Sequence, residues 1–200
     1  MLFINCTPKS TNYVAINSNT MKNKNTETAI FAGGCFWCTE AVYNQLHGIL
    51  KLEPGYIGGQ VLNPTYEQVC SGTTGHAEAV RITFDADKIT YNELLEVFFT
   101  THDPTTLNRQ GADEGTQYRS EIFYMDELQK KQAERFIVWL DRARIYPKPV
   151  VTKISAATTY YVAEEYHKNY YENNPDQGYC RMVIAPKIEK VKKFYTDKLK

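Results

Sequence analysis

The order of apolar and polar positions along the chain predicts strands that alternate with helices. Short apolar or alternating runs, which indicate strands, cover residues 28–32, 50–53, 77–84, 120–125 and 150–154. Apolar residues three and four positions apart, which indicate helices, follow Cys35, Thr65, Thr90 and Asp126 and recur over residues 163–173 and from Ile188. This order predicts an α+β fold, a two-layer α/β sandwich with a mixed sheet and a ferredoxin-like core.

For two predicted elements, the pattern also indicates which face is buried. In the strand at 77–84, Val80, Ile82 and Phe84 alternate onto one face, and Glu78 falls on the same face. In the helix after Asp126, the spacing directs four apolar side chains inward, and these are Leu128, Phe136, Ile137 and Leu140. Pro54-Gly55 and Gly58-Gly59 predict loops. Residues 103–119 show no period, and long segments of this kind are usually functional or disordered.

Composition narrows the choice of partners. Lysine plus arginine equals aspartate plus glutamate, at 23 each, so the chain has no net charge. A neutral chain lacks the attraction that binds nucleic acid or anionic membranes, and we expect neither as a partner. The first 25 residues are rich in Asn, Thr and Ser and lack the apolar core of a signal peptide. We therefore expect a loosely ordered extension at 1–27, one domain at 28–200, and a cytoplasmic monomer.

The five cysteines lie at positions 6, 35, 38, 70 and 180. An odd number does not suit a secreted disulfide framework and favours thiols that cycle in a reducing compartment. Cys6 lies in the predicted extension, and Cys70 follows a predicted short helix, where packing is the simpler role. Cys35 differs because it lies between an apolar strand and a helix. Unpaired N–H groups and the macrodipole at a helix start favour a thiolate, which is the nucleophilic form.

The residues around Cys35 resemble a known family. Gly34-Cys35-Phe36-Trp37 is similar to the signature of peptide methionine sulfoxide reductase A, which acts on the S epimer of methionine sulfoxide. Further blocks follow in that family's order, at 55–59, 63–66, 70–72, 74–80, 102–104, 109–111, 113 and 115–120. Each block alone is a weak signal. Together, at compatible spacing from residue 30 to about residue 175, they form a strong one.

The resemblance implies a role for each matching residue. Cys35 attacks the sulfoxide sulfur and becomes a sulfenic acid, and Glu78 donates a proton to the oxygen. Tyr66, Asp113 and Tyr118 hold that oxygen and a water, while Phe36 and Trp37 form a pocket for the methyl group. The family uses no metal and no cofactor, only an external thiol reductant, thioredoxin. Independently of the resemblance, Glu78 on an apolar face would be desolvated, and desolvation raises a carboxyl pKa.

Two cysteines could act as the resolving thiol, the one that forms a disulfide with the oxidised Cys35. Cys180, in a tail at 174–200, has a Gly-Tyr-Cys context that matches the family and is slightly favoured. The second tail cysteine of many members is missing here. Cys38 stands where many members have glycine, and it lies one helical turn from Cys35. It could close a Cys-x-x-Cys disulfide. Whichever thiol forms the first disulfide, the other could then relay it to the surface.

Two other functions fit part of the chain. A thioredoxin-like disulfide oxidoreductase would account for Cys35-Phe36-Trp37-Cys38 between a strand and a helix, but not for the later blocks. A zinc module would use Cys35, Cys38, His76 and Cys180. Structural zinc sites usually pair one Cys-x-x-Cys with a second close ligand pair, which this chain lacks.

Overall fold

The computed structural model describes residues 25–200. The predicted extension at 1–27 lies outside these residues except for its last three positions, and so does Cys6. Within the described range, strand β1 (Thr26–Gly33) already begins at Thr26. None of the helices in this range combines the length and the apolar composition that a membrane crossing requires.

A mixed sheet forms one layer of the described domain. After β1 its strands are β2 (Ile49–Ile57), β3 (Ala77–Asp85), β6 (Ser120–Tyr124), β7 (Lys153–Ala156) and β8 (Tyr161–Val162), while β4 (Arg109–Gln110) and β5 (Asp113–Glu114) form a separate hairpin. The order across the sheet is β7-β6-β1-β3-β2-β8. The β6–β7 pair is parallel, and the other pairs are antiparallel.

Helices cover one face of this sheet. They are α1 (Phe36–Tyr43), α2 (Tyr66–Cys70), α3 (Tyr91–Thr101), α4 (Glu127–Arg142), α5 (Tyr170–Asn173) and α6 (Ala185–Phe194). The central strands β6-β1-β3-β2, with α1 after β1 and α3 after β3, make the βαββαβ arrangement of a ferredoxin-like fold. The predicted α+β sandwich with a mixed sheet is confirmed.

Helix starts follow the local sequence. Thr65 and Thr90 accept hydrogen bonds from Gln68 N and Glu93 N, and the side chains of Gln68 and Glu93 bond back to the cap residues, so both helices carry capping boxes. Asp126 caps α4 through the Gln129 N–H. These caps explain why the predicted helix starts agree with the structure.

The main core lies between the sheet and the helices. Val80, Ile82 and Phe84 of β3 are fully buried there, on the face predicted from their alternation. Ala77 and Ala79 belong to a smaller cluster on the opposite face, packed against Ala157 and Tyr160. Glu78 therefore lies under the helices, and the site is built on that side.

Two predicted strands differ from the structure in their bounds. Strand β2 runs through Pro54-Gly55, which we predicted as a loop. On the side away from β3, β2 pairs only with the short β8 within residues 25–200, so most of that edge is unpaired. Proline is tolerated in strands that lie near the edge of a sheet. The strand predicted at 150–154 is β7, three residues later, because the Val151 N–H bonds to the Pro104 carbonyl instead of joining the sheet.

The helix predicted at 163–173 is wrong for most of its length. Residues Tyr161–Val162 form β8, Glu165–His167 form a 3-10 turn, and only Tyr170–Asn173 are α-helical. Asn169 adopts a left-handed conformation with φ of 51°, which interrupts the helix, and its N–H donates to the Glu40 carboxylate at 2.9 Å. A tertiary contact has overridden the local helical pattern.

One side chain of α4 that we predicted to point inward faces solvent. Leu128 is exposed, while the side chain of Gln129 is buried, donates to the Thr28 carbonyl and accepts the Met125 N–H. In α6, Ile188 and Val191 are buried and Phe194 is exposed. The buried stripe of α4 therefore begins after Leu128, and that of α6 ends before Phe194.

Candidate active site

Cys35 lies at the junction between β1 and α1. Gly34 turns the chain with φ of 95°, and a side chain there would lie 2.6 Å from Gln110, so the position requires glycine. Cys35 is the N-cap residue of α1, and its carbonyl accepts the Cys38 N–H at 3.1 Å. The sequence therefore places this thiol at a helix N-terminus, as predicted, but in a nearly buried environment.

Glu78 lies at the same helix terminus. Residue pairing between β3 and β2 sets Glu78 opposite Tyr56, and the Phe36 N–H donates to Glu78 Oε2 at 3.0 Å. Only about 1% of Glu78 is exposed. The Glu78 pKa is raised to about 8, above all by burial; the Phe36 hydrogen bond lowers it, and the negative charges of Asp113 and Cys38 contribute to the rise. Glu78 therefore holds a proton at neutral pH, beside Cys35.

Tyr66, Asp113 and Tyr118 converge on this carboxyl from three separate segments. Tyr66 begins α2, Asp113 belongs to β5, and Tyr118 ends the 3-10 turn Thr116–Tyr118. Burial raises the pKa of both phenols; the hydrogen bond to Cys70 adds to the rise at Tyr66, and the negative charge of Glu78 adds to it at both. Both tyrosines therefore keep their protons and can donate hydrogen bonds. The segment 103–119, which the sequence left without a period, supplies two of these three residues.

Phe36 and Trp37 belong to an aromatic cluster. The Phe36 ring centroid lies 5.9 Å from Tyr56 and 6.4 Å from Tyr66. Trp37 stacks on Tyr170 at 3.6 Å between centroids with an interplanar angle of 5°. Phe36 is buried, and Trp37 is half-buried with its ring fixed by the stack on Tyr170. The cluster is suited to holding an apolar, sulfur-bearing group.

The two thiols of α1 behave as one titrating pair. Cys35 and Cys38 are hydrogen-bonded to each other. Burial raises the Cys35 pKa well above its ordinary value, with the Cys38 hydrogen bond and the Glu78 charge acting in the same direction. The hydrogen bond from Cys35 lowers the Cys38 pKa to about 7, and Lys187 contributes. The expected thiolate therefore resides on Cys38 in the free protein, because desolvation at Cys35 outweighs the helix terminus.

Cys180 lies in the main core, near the Cys35–Cys38 pair. It is fully buried in the main core and begins a π-helical stretch, Cys180–Ile184, that leads into α6. Burial raises its pKa, and the neighbouring charge of Cys38 adds to that effect. Cys70, the fourth described thiol, is hydrogen-bonded to the Tyr66 side chain. The sequence predicted only a packing role for Cys70 and did not indicate this contact. All four described cysteines are free.

Several residues at the site were missed by sequence reasoning. The Tyr179 hydroxyl donates to Asp113 Oδ2 at 2.6 Å and lies 3.7 Å from Cys38 Sγ. Trp37 Nε1–H donates to His167 Nδ1 at 3.0 Å, and Glu164 accepts from both the Tyr56 hydroxyl and the Tyr66 N–H. Glu164 and His167 lie in residues 163–173, which we predicted as a helix, and Tyr179 lies in the Gly-Tyr-Cys context that we used only for Cys180.

His76 does not join the thiols. Its Nδ1 accepts the Gly59 N–H at 3.0 Å and its Nε2 lies 2.8 Å from the Val61 carbonyl, so both ring nitrogens hold the 58–62 loop. Within residues 25–200 no three Cys, His, Asp or Glu side chains are grouped to bind a metal ion.

A buried thiol pair, a protonated carboxyl and two phenols lie together beside aromatic side chains, and these are the groups that a thiol-based reductase of a polar oxygen requires. The comparisons agree with this class. The family model described as "Peptide methionine sulfoxide reductase" matches residues 27–199. This chain belongs to that family, in its A branch, whose members are peptide-methionine (S)-S-oxide reductases, a group of oxidoreductases.

Similar proteins span most of the chain. The peptide methionine sulfoxide reductase MsrA of Deinococcus radiodurans is 59% identical over 87% of this chain and 84% of its own. The protein of the same name from Picrophilus torridus is 51% identical over 86% and 97%. Among solved structures, reduced Mxr1 from Saccharomyces cerevisiae aligns with a TM-score of 0.69 at 33% identity, covering 78% of this chain and 89% of its own.

Proposed function

We propose that this protein reduces methionine-S-sulfoxide, free or in proteins, to methionine by thiol chemistry at Cys35. The observation that carries the proposal is the neutral Glu78 carboxyl, held by the Phe36 N–H at the helix terminus where Cys35 lies. A proton donor next to a nucleophilic sulfur is what the loss of a sulfoxide oxygen requires. The names of the similar proteins support the same substrate.

The first step joins these groups. Cys35 Sγ attacks the sulfoxide sulfur, and the Cys38 thiolate accepts the Cys35 proton along their hydrogen bond. Glu78 protonates the oxygen as the sulfur–oxygen bond weakens, while Tyr66 and Tyr118 donate hydrogen bonds to it. With a second proton, the one taken from Cys35, the oxygen leaves the substrate sulfur as water. A water molecule then attacks Cys35 Sγ, and the bond between Cys35 and the substrate sulfur breaks with its electron pair on methionine. Cys35 thereby loses two electrons and becomes a sulfenic acid, and the proton released by the attacking water returns to Glu78.

The second step uses the neighbouring thiol. Cys38 Sγ attacks the sulfur of the Cys35 sulfenic acid, a Cys35–Cys38 disulfide forms, and water leaves. The hydrogen bond between the two thiols supports Cys38 as the first resolving residue, in place of the slight preference for Cys180. Cys180, buried beside Cys38, then serves as the relay thiol.

Thioredoxin, as the external thiol reductant, completes the cycle. We further propose that the protein acts in the cytoplasm as a monomer, without a metal or a cofactor. The free thiols fit a reducing compartment. Light scattering of the purified protein tests the oligomeric state.

The experiment is stereospecific reduction of methionine sulfoxide by the native protein and by Cys35→Ser, Cys38→Ser and Cys180→Ser. Dithiothreitol and thioredoxin serve as parallel reductants. We expect consumption of the S epimer alone, no turnover in Cys35→Ser, and a single turnover in Cys38→Ser without a thioredoxin-driven cycle. Failure of the native protein to reduce either epimer would contradict the proposal. Insulin disulfide reduction then tests the disulfide oxidoreductase alternative.

A further inference from the structure

A small cavity borders Cys38 at the place where α1, α3 and α6 meet. Helix α6 packs against both of the other helices, and the cavity between them has a volume of about 10 Å³. The ionisable side chains in its wall are those of Cys38, His102 and Lys187. A space of this size holds at most about one water molecule, so little solvent separates Lys187 from Cys38.

His102 supplies no positive charge to this cavity. Its Nδ1 lies 2.6 Å from the Phe98 carbonyl oxygen, which can only accept, so Nδ1 carries the proton of the neutral ring. Its Nε2 lies 2.8 Å from Ser120 Oγ and accepts that hydroxyl. The pKa of His102 is lowered to about 4, above all by burial, and the charge of Lys187 contributes. The imidazole is therefore neutral at neutral pH.

Lys187 differs from the other lysines of α6 in having no partner for its ammonium group. It is half-buried, and it makes no hydrogen bond and no ion pair within residues 25–200. Each of the other three has a contact: Lys190 donates to the Thr100 carbonyl, Lys192 pairs with Glu189, and Lys193 lies over the Phe194 ring. The positive charge of Lys187 is therefore uncommitted and lies at the wall that it shares with Cys38.

The groups that face Cys38 from the other elements are neutral or negative at neutral pH. They are Cys35 of the same helix, Glu78 of β3, Asp113 of β5, Tyr179, and Cys180 of the π-helical stretch. Burial raises the pKa of the two thiols, the Glu78 carboxyl and the phenol, so all four keep their protons. The negative charge of Asp113 opposes a thiolate at Cys38. Among the described residues that face Cys38, Lys187 is thus the one positive charge.

We propose that Lys187 is the counter-ion of Cys38, a positioning residue that holds the negative charge of the thiol pair on Cys38 and so prepares Cys38 to take the Cys35 proton. This inference deepens the proposed function and rests on it for the use made of that charge. An opposite charge favours the thiolate, and the small cavity leaves the attraction weakly screened. Together with the larger effect of the Cys35 hydrogen bond, the Lys187 charge lowers the Cys38 pKa to about 7.

The ultraviolet absorbance of the thiolate, followed against pH, tests the proposal in a Cys35→Ser background. The serine hydroxyl can still donate to Cys38 Sγ, and the same background with Cys38→Ser is the blank. Lys187→Met should raise the pH midpoint of Cys38 by about one pH unit, because a nearby opposite charge is lost. Lys187→Arg keeps the charge and should restore most of the midpoint. Lys190→Met, the matched control on the same helix, should leave it unchanged.

A midpoint that stays in place in Lys187→Met, or that moves as far in Lys187→Arg or Lys190→Met, overturns the inference. Single-turnover reduction of methionine sulfoxide with Cys35 intact supplies the second readout. At pH 7, Lys187→Met should react about fivefold more slowly, because the thiolate fraction of Cys38 falls from about one half to about one tenth. A shifted midpoint with an unchanged rate also overturns it. If the native protein reduces no sulfoxide, the proposed function fails, while the midpoints, measured without substrate, still decide the role of Lys187.

Discussion

Glu78 of β3 and Glu40 of α1 are two buried carboxyls that have much in common. Each is about 1% exposed, and burial raises the pKa of Glu78 to about 8 and of Glu40 to about 7. Each accepts a backbone N–H, from Phe36 at 3.0 Å and from Asn169 at 2.9 Å respectively. Burial and proton affinity alone do not distinguish them.

Their surroundings do distinguish them. Glu78 lies near the charges of Asp113 and Cys38 and near the phenols of Tyr66 and Tyr118, so its proton is positioned for transfer. Glu40 instead holds the start of α5, the helix that stacks Tyr170 on Trp37, and its Oε1 has no hydrogen-bond partner within residues 25–200. From this comparison we expect a raised carboxyl pKa to mark a catalytic acid only when the group faces the reacting atoms.

Replacing each carboxyl by an amide gives the largest expected contrast. Glu78→Gln should slow single-turnover reduction of methionine sulfoxide by about 10²–10⁴-fold, because the proton donor is lost while the shape is kept. Glu40→Gln should slow it by less than about tenfold, since its amide oxygen can still accept the Asn169 N–H. Rapid-quench measurement of methionine checks both rates. Similar losses in the two variants would remove the distinction between the carboxyls.

The pH dependence of the same step should separate the two groups further. As pH rises above about 8, Glu78 loses the proton it must donate, and the rate should fall about tenfold per pH unit. Below about 7, Cys38 gains a proton and no longer accepts one from Cys35, so the rate should fall on that side too. Single-turnover rates from pH 5 to pH 10 check the profile. The alkaline fall should vanish in Glu78→Gln and persist in Glu40→Gln.

Both carboxyls should also make stability depend on pH. A group whose folded pKa is raised stabilises the fold fully below its unfolded pKa of 4.5 and loses that contribution as pH rises through the folded value, about 8 for Glu78. Between pH 4.5 and pH 8, the free energy of unfolding of the native protein should therefore fall by a few kcal/mol relative to that of Glu78→Gln. Relative to Glu40→Gln the fall should be smaller, because the folded pKa of Glu40 is only about 7.

Urea unfolding of the three reduced proteins at pH 5 and pH 8 measures this effect. A native curve that runs parallel to that of Glu78→Gln would show that Glu78 is not protonated by burial.

The smallest expected effect is on the aromatic cluster. Glu40→Ala removes the acceptor of the Asn169 N–H and should loosen the Tyr170–Trp37 stack, raising KM for methionine sulfoxide a few-fold, at a cost of about 1–3 kcal/mol in stability. In a Trp139→Phe background, the long-wavelength tryptophan bands of the near-UV circular dichroism spectrum report on Trp37, the one remaining tryptophan. Glu40→Gln is the control and should keep both the signal and KM.

Much of the fold followed from local sequence. Alternation in β3 placed Val80, Ile82 and Phe84 on the core face, and Glu78 followed because side chains in a strand repeat every second residue. The capping residues Thr90 and Asp126 fixed helix starts through local hydrogen bonds. These features depend on residues a few positions apart, which is why a pattern can predict them.

Other features depended on distant contacts. Residues 163–173 have a helical pattern, yet Glu40 binds the Asn169 N–H and His167 binds Trp37, and these contacts fix a different path. Strand β2 continues through Pro54 because β3 and β8 pair with it. Local propensity is worth less than 1 kcal/mol per residue and yields to such contacts.

The sequence by itself determined the class of fold, the position of Cys35 at a helix start, and, through the resemblance, the residues that gather around it. Only the tertiary structure decided how those groups are charged. Burial at the end of β1 raises the pKa of Cys35, leaves the negative charge on Cys38, and keeps a proton on Glu78. Desolvation depends on every element packed around a group, so it is a property of the assembled core and not of any local pattern.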